Sequence, residues 1–479
     1  MSIKKNIFYN ISLSIINMLF PVATAPYISR VLGVENVGIV NFALSYVSYF
    51  MLFATLGVGY YGVREIARHK DDKEKISQIF SGIFRINIVS TAIVSTVYFL
   101  TIFSIPSLSA DWKIFVLAGI SLYLVPTTID WYFQGLENFK VIAYRSLVIK
   151  CMAFAGLFIF VQQREDVIPY VILSSFAILG NNVWNMVYAK KQGLKIKWTN
   201  IHASVHIKPM LVFFVTNVIA SIFNMMDTLM LGFMSTYEQV GFFTSPNKIL
   251  ILVITGFGSL NAVLIPRISF NRQQNNNSEN MALLQKTFDI TSLFVVPVAI
   301  GLCLISSRFV PLFFGSEFMG SILPMQILSF KVIVVMINCF FVFNILMAYG
   351  HENKFLIVAA LTAVFSFTLN WILIPLYGAV GVSITSVAAE SVEIFLNLFL
   401  VYKFTKIRIN WKVMLNSFIF ALSFFVLYAL FSNYIVNDII FLFIFVISSI
   451  LVYFSLQFFL AKNYLAVQIL NMLANKINR

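Results

Sequence analysis

The amino-acid sequence predicts an all-α, polytopic membrane protein with about fourteen transmembrane helices. Three observations lead to this class: 60% of the 479 residues are hydrophobic, only 11% are charged, and apolar runs of membrane-spanning length recur along the chain. A typical soluble domain carries about 25% charged residues. The chain therefore lacks the polar surface that a series of soluble domains would require.

The individual spans follow from the apolar runs. A helix needs about 20 apolar residues to cross a bilayer, and the runs show no alternation of polar and apolar residues, which favours helices over barrel strands. Their centres lie near Met18, Phe50, Val94, Leu122, Phe154, Ala177, Ile219, Leu252, Val296, Val335, Val364, Glu390, Phe424 and Phe445.

The first apolar run could be either a transmembrane helix or a cleaved signal peptide. Lys4 and Lys5 precede an apolar run that reaches the small residues 23–25, a pattern that is also typical of a cleaved signal peptide. Because the run is long and continues beyond those residues, we expect a retained first helix.

Basic residues predict the orientation of the spans. When the N-terminus, the even-numbered loops and the C-terminus share one side, that side receives 27 of the 33 Lys and Arg residues. Cytoplasmic loops carry this excess, so both termini are predicted to be cytoplasmic, although twelve spans would pass the same test. The net charge of +14 is then mostly a topology signal with affinity for anionic lipid, and it does not indicate nucleic acid as a partner.

A weak internal repeat predicts the domain organisation. Residues 35–38 (ENVG) and 238–241 (EQVG) share an offset of 203 with Arg64 and Arg267. Six spans separate the copies, so both run in the same direction, as in some alternating-access transporters. We expect two pseudo-symmetric six-helix lobes, at 1–200 and 201–405, around a central cavity. Residues 406–479 would add a helix pair and a cytoplasmic tail.

Several short motifs resemble those of one family. The chain is similar to the polysaccharide-synthesis branch of the multidrug/oligosaccharidyl-lipid/polysaccharide (MOP) exporter superfamily, the Wzx-type O-antigen flippases. The resemblance is carried, in order, by residues 26–38 (PYISRVLGVENVG), 64–68 (REIAR), 131–140 (WYFQGLENFK), 227–232 (DTLMLG), 238–241 (EQVG), 266–269 (PRIS) and 311–318 (PLFFGSEF).

This resemblance implies a flippase of the bacterial inner (plasma) membrane. Such proteins move undecaprenyl-pyrophosphate-linked oligosaccharide repeat units, for O-antigen of lipopolysaccharide, capsule or another surface polysaccharide, from the cytoplasmic to the periplasmic leaflet by alternating access. The implied partners are this lipid-linked oligosaccharide, membrane lipid, H⁺ or Na⁺ as coupling ion, and a polysaccharide polymerase with its chain-length machinery. We expect no nucleic acid, no cofactor and no metal.

Cations inside the apolar runs are the candidate substrate-binding residues. A pyrophosphate needs fixed cations, and charges within spans are costly and tend to face a cavity or a partner. The candidates are Arg30, Arg85, Lys150, Lys248 and Lys331. For Arg30, Arg85 and Lys150 we weigh equally the alternative that the charged group extends to the lipid headgroups instead of a cavity. Lys331 lies too deep in its apolar run for its ammonium to reach the headgroups easily.

Acidic residues are the candidates for ion coupling. Glu390 and Glu393 lie three residues apart in the twelfth span and so share a helical face. Two carboxylates this close could share a transported proton or bind Na⁺. An equal alternative is that one of them neutralises Lys331 or Lys248. Asp227, near the outer end of the seventh span, is expected to pair with a cation rather than to bind substrate.

Two other function classes remain as alternatives. A multidrug/cation antiporter of the same superfamily would need carboxylates deep in the N-terminal lobe, which offers only Asp130. A membrane-embedded glycan polymerase or glycosyltransferase would be expected to show a large extracytoplasmic loop or a soluble catalytic domain. The sequence has no phosphate-binding loop, no nucleophile elbow and no metal-like spacing of its three cysteines. His202 and His206 have the i,i+4 spacing of a helical pair but no carboxylate nearby, so we expect a transporter rather than an enzyme.

Overall fold

The computed structural model describes residues 3–198, 203–273, 277–405 and 407–465. These residues form helices and contain no β-strand, which confirms the all-α class. Eleven helical segments of the described chain are long and apolar enough to cross a membrane. The C-terminal tail beyond residue 465 and the side chains of the motif at 266–269 lie outside the described part.

Two of the helices are long enough to hold two crossings each. Helix α1 (Ile3–Thr55) has 53 residues, or about 80 Å at about 1.5 Å per residue, against about 30 Å of hydrocarbon. It breaks at Gly33, whose φ of 76° is the left-handed conformation that glycine adopts without strain. A second helix of 54 residues, Glu352–Thr405, breaks in the same way at Gly378 with a φ of 53°. The eleven segments, the second crossings of these two helices, and the helix Ser204–Met234 with its two shorter apolar stretches bring the number of crossings to about fourteen, as predicted.

The chain divides into two compact units, Met1–Gly241 and Phe242–Arg479. The predicted lobe boundaries at 200/201 and 405/406 stay predictions. In the first unit α1 packs against α3, α8 and α10. The helices that follow α1 are α2 (Val58–Arg68), α3 (Lys73–Ser104), α4 (Pro106–Ser109), α5 (Trp112–Ala118), α6 (Ile120–Tyr123), α7 (Asp130–Gly135), α8 (Phe139–Phe160), α9 (Val167–Lys191) and α10 (Ser204–Met234).

The fourth predicted span is a chain of short helices rather than one rod. It runs through α5, α6, a 3₁₀ turn at Val125–Thr127 and α7. The backbone groups freed by such a break need other partners inside a membrane. Asn182 of α9 supplies one: its Nδ2 donates to the carbonyl of Leu124 at 3.3 Å and to the hydroxyl of Thr128 at 3.0 Å. Helix α9 therefore stabilises the break.

The second unit is built around three consecutive helical segments. Helix α12 (Asn277–Phe314) packs on α13 (Ile322–Cys339), and α13 packs on α14 (Glu352–Thr405). The helices are α11 (Tyr237–Gln273), which begins in the first unit, α12 (Asn277–Phe314), α13 (Ile322–Cys339), which continues as a π-helix over Phe340–Met347, α14 (Glu352–Thr405), α15 (Lys412–Ala421), α16 (Ser423–Tyr434) and α17 (Asp438–Phe459). A 3₁₀ turn at Ser316–Ser321 joins α12 to α13.

The C-terminal helix pair attaches to α12. Phe424, Phe441 and Phe445 share a buried apolar cluster with Leu293 of α12. At its centre the hydroxyl of Tyr453 donates to the carbonyl of Leu293 at 2.8 Å. The pair is thus packed on the second unit by both apolar burial and a buried hydrogen bond.

The two copies of the ENVG-type repeat lie against each other. A Cβ added to Gly38 would overlap the carbonyl oxygen of Tyr237, and one added to Gly241 would overlap that of Val34. Each carbonyl belongs to the residue four positions before the opposite glycine. The repeat seen in the sequence therefore marks a symmetric crossing of two helix beginnings, at which both glycines permit close backbone contact.

Candidate functional site

Polar residues of α13 and α14 form a buried cluster in the second unit. On α13, Lys331 and Asn338 are seven residues apart, and on α14 Ser386 and Glu393 are also seven apart, so each pair lies on one helical face. The contacts between them share one register, Lys331 with Ser386 and Asn338 with Glu393. We call Lys331, Asn338, Ser386, Glu390, Glu393 and Asn397 the glutamate cluster.

Neutral groups hold the charges of Lys331 and Glu393 in this cluster. Lys331 Nζ donates to Ser386 Oγ at 2.7 Å, and Asn338 Nδ2 donates to Glu393 Oε1 at 2.8 Å. Asn397 Nδ2 in turn donates to Asn338 Oδ1 at 2.9 Å, which fixes the amide orientation. Glu390 and Glu393 are only 7% and 6% exposed. Among the residues described, Lys331 and Glu393 take part in no ion pair.

The structure thus brings three of the predicted residues together. Lys331, Glu390 and Glu393 belong to one pair of packed helices, but the partner of the Lys331 ammonium is the hydroxyl of Ser386 rather than a carboxylate. Lys248, on α11 of the same unit, is half-buried. The alternative in which a glutamate neutralises Lys331 requires an ion pair between the two side chains. In the described part of the chain, no ion pair joins Lys331 to a glutamate.

Two other candidate cations lie on different helices of the first unit. Arg85, on α3, is half-buried, and its guanidinium carbon stands 5.8 Å from the ring centre of Trp198. Lys150, on α8, is half-buried and donates to Asn17 Oδ1 at 2.5 Å, with the Phe20 ring centre 5.4 Å from its Nζ. Within the described chain no hydrogen bond or ion pair joins Arg85 to Lys150.

The remaining candidates also belong to the first unit. Arg30 is exposed and lies three residues before the break at Gly33. Asp227, on α10, is 8% exposed. The structure therefore distributes the eight predicted residues over both units instead of grouping them in one, and their roles stay predictions.

The structure contains a second cluster of polar side chains, which the sequence analysis does not predict. The side chain of Arg145, on α8, is 1% exposed, and its Nη2 lies 3.0 Å from Oδ1 of Asp130 on α7. Arg145 Nη1 also donates to Asn185 Oδ1 on α9, and Asn185 Nδ2 donates to Asp130 Oδ1 at 2.6 Å. We call Asp130, Arg145 and Asn185 the arginine cluster. It joins three consecutive helices at the end of the broken fourth span.

The sequence carried a faint signal for this cluster. Asn182 and Asn185 are three residues apart in the sixth span, which places both amides on one helical face. Both turn out to bond to the fourth span, at Thr128 and Asp130. Arg145 is one of the 27 basic residues that the orientation rule places on the cytoplasmic side, so its charge alone does not indicate burial.

Among the described residues there is no group of three or more His, Cys, Asp or Glu side chains arranged to hold a metal ion. The three cysteines, Cys151, Cys303 and Cys339, are not in disulfides.

Comparisons with known proteins agree with the architecture. A family model described as polysaccharide biosynthesis protein matches residues 3–271. A protein named as an O-antigen transporter in Escherichia coli strain K12 is 25% identical over 404 residues, which cover 81% of this chain and 94% of that protein.

Two solved structures share the fold. The lipid II flippase MurJ, in an inward closed conformation, superposes with a TM-score of 0.71 at 16% identity, over 96% of this chain and 100% of that one. An inward-facing multidrug resistance transporter of the MATE family, in the MOP superfamily, gives a TM-score of 0.61 at 13% identity, over 83% of this chain and 99% of that one.

Proposed function

The chain belongs to the polysaccharide biosynthesis protein family, and from this premise we propose that it flips lipid-linked polysaccharide precursors across a membrane. Its relative in Escherichia coli, named as an O-antigen transporter, matches along 81% of this chain. The finer proposal is that the cargo is an undecaprenyl-pyrophosphate-linked oligosaccharide, moved from the cytoplasmic to the periplasmic leaflet of the inner membrane with both termini cytoplasmic.

The observation that supports a polyanionic cargo best is the environment of Lys331. Its ammonium is held by the Ser386 hydroxyl at 2.7 Å, so its positive charge is not cancelled by a carboxylate in the described chain. An ammonium in a span is costly unless it meets an anion. A passing pyrophosphate would supply that anion, and Lys would bind it as a point charge without demanding one geometry.

Arg30, Arg85, Lys150 and Lys248 complete the proposed phosphate contacts. Arg85 and Lys150 would act near the cytoplasmic entry, where the pyrophosphate first leaves water. Arg30 and Lys248 would act nearer the opposite face. The guanidinium of Arg85 already stands over the Trp198 ring, 5.8 Å away, and an aromatic ring beside a cation also suits a sugar-phosphate group.

The proposed coupling residues are Glu390 and Glu393. Glu393 is 6% exposed, and its described hydrogen bond comes from the neutral amide of Asn338. A buried carboxylate with neutral partners is suited to take up H⁺ or Na⁺, because the cation removes the cost of burying the negative charge. Binding of that ion would then bias the transport cycle. Asp227 is proposed to pair with a cation in this cycle.

The antiporter alternative receives less support. It would rely on a carboxylate in the N-terminal region, and Asp130 there is paired with Arg145 at 3.0 Å. An assay of fluorescent-cation efflux separates the two functions, because a lipid-linked glycan flippase should leave such efflux unchanged.

The deciding experiment is Lys331→Ala in cells whose own copy has been deleted. We expect loss of surface glycan and accumulation of its lipid-linked precursor, measured by glycan gels and mass spectrometry, while immunoblots show normal membrane insertion. Lys331→Arg should restore part of the export, because it keeps the charge. The matched control is Lys113→Ala, which removes an exposed lysine and should export normally. Normal surface glycan with Lys331→Ala would overturn this role.

A further inference from the structure

A groove with a polar end and an apolar end runs along the surface of the first unit beside α9. The polar end has a volume of about 650 Å³ and lies where α8 begins and α9 ends. The apolar end, of about 550 Å³, continues along α9. Trp184 and Tyr188 line both, so the two ends adjoin at these rings, and we call them together the amphipathic groove.

The apolar end has the length of one leaflet. Before Tyr188 and Lys191, its lining runs from Phe176 to Val187, a distance of about 17 Å at about 1.5 Å per residue, or roughly half of a hydrocarbon core of about 30 Å. At Gly180, Ile149 of α8 occupies the space that a Cβ would fill, so α8 packs directly on α9 at this point of the lining. Val183 is 54% exposed and Val187 49%. In a membrane protein such a surface faces acyl chains, and this one offers a channel for a chain that ends near the bilayer midplane.

Aromatic side chains mark the boundary between the two ends. Tyr144 and Trp184 meet with ring centres 6.3 Å apart at an interplanar angle of 64°. Tyr144 is 61% exposed and Trp184 37%. Amphipathic rings of this kind concentrate at the level of the lipid headgroups. The polar end of the groove therefore lies at headgroup depth.

The polar end presents charges of both signs. Lys140 and Glu137 line it beside Asn138 and Gln192, and Lys191 lines the adjoining part. In the part of the chain that the structure describes, none of these three charged side chains forms an ion pair. Glu137 is also held at a φ of 56°, a left-handed conformation that is uncommon for a residue with a side chain. It lies in the motif at 131–140, which the transport proposal does not use.

We propose that this groove is a binding site for one membrane phospholipid with a primary ammonium in its headgroup, of the phosphatidylethanolamine type. The phosphate would contact Lys140 and Lys191, the ammonium would contact Glu137, and one acyl chain would run along α9 past Gly180. The two lysines supply the positive charge that attracts a lipid phosphate at the membrane surface. An anionic lipid that lacks the ammonium could still bind the two lysines through its phosphate, but Glu137 would then face a negative charge.

The test is native mass spectrometry of the purified full-length protein, titrated with phosphatidylethanolamine and phosphatidylglycerol of identical acyl chains. We expect the wild type to bind phosphatidylethanolamine about tenfold more tightly, the effect of one charge-assisted contact of about 1.4 kcal/mol. Glu137→Gln should reduce that ratio to about one. The double variant Lys140→Ala with Lys191→Ala should weaken both lipids about tenfold.

The control uses the lysine next to the groove. Lys190 is exposed and adjoins Lys191 but does not line either end, so Lys190→Ala should bind both lipids like the wild type. Val183→Trp, which fills the apolar end from an exposed position, should weaken both lipids without lowering the melting temperature. Equal binding of the two lipids by the wild type, or equal losses with Lys190→Ala and the double variant, would overturn the proposal.

Discussion

In the first unit the buried guanidinium of Arg145 faces a carboxylate, whereas in the second unit the buried carboxylate of Glu393 faces a neutral amide. Both clusters join packed helices, and both consist of side chains that a lipid-facing surface could not carry. The arginine cluster cancels its own charge. The glutamate cluster keeps a lysine and a glutamate on neighbouring helices without pairing them.

This difference separates a structural role from a transport role. A charge pair that is complete needs nothing from outside, and its removal should affect folding first. A charge held by neutral groups retains a demand for an ion of opposite sign, and its removal should affect transport first. Measurements of stability therefore test the structural role of the arginine cluster, and measurements of glycan export test the transport role of the glutamate cluster.

Asp130→Ala should have the largest effect on stability. It leaves the Arg145 guanidinium, 1% exposed, without its carboxylate, and an unpaired buried charge costs about 3–5 kcal/mol. We expect a marked fall in melting temperature of the purified protein. Arg145→Met should cost less, about 1–3 kcal/mol, because the Asp130 side chain is 39% exposed and water can solvate it. The reverse order of the two variants would contradict the assignment of Arg145 as the buried partner.

The arginine cluster also shows where prediction from sequence ends. The all-α class, the approximate number of spans and the ENVG repeat were readable because they depend on composition and spacing. Arg145 was not, because its burial depends on α8 lying beside α7 and α9, and a single sequence does not determine which helices are neighbours. The same limit applies to Lys331: its depth in a span was predicted, but its partner Ser386, 55 residues away in the chain, was not.

Ser386→Ala should have the next largest effect. It removes the hydroxyl that accepts the hydrogen bond from Lys331 Nζ, and a charged donor that loses its acceptor costs about 1–2 kcal/mol. We expect a moderate fall in melting temperature together with a partial loss of glycan export, since the ammonium is no longer held in place. Ser417→Ala is a matched control, since it removes another buried hydroxyl, between Tyr453 and Gln457, and should lower stability without a specific loss of export.

Glu393→Gln should change stability by less than about 1 kcal/mol, because the new amide oxygen can still accept the hydrogen bond from Asn338. Its effect should appear in transport. With Glu390→Gln added, we expect export that no longer responds to collapse of the ion gradient by an ionophore. A double variant that exports like the wild type and remains equally sensitive to the ionophore would contradict the coupling role of the two glutamates.

Asp166→Asn should have the smallest effect and calibrates the others, because this carboxylate lies between α8 and α9, outside the spans. Backbone N–H groups of Gln162 and Gln163 donate to its Oδ2, both at 2.9 Å, and hold the pKa of Asp166 below its usual value. The native state therefore binds the proton less readily than the unfolded chain, so the contribution of these bonds is complete above about pH 4 and is lost as the pH falls further. Melting temperatures of wild type and Asp166→Asn should differ slightly at pH 6 and converge as the pH falls through the lowered native pKa of Asp166. If the difference in melting temperature widened on acidification, the hydrogen bonds would not depend on the ionised carboxylate. If Asp166→Asn lowered the melting temperature as much as Asp130→Ala, burial would not govern the cost of a missing carboxylate.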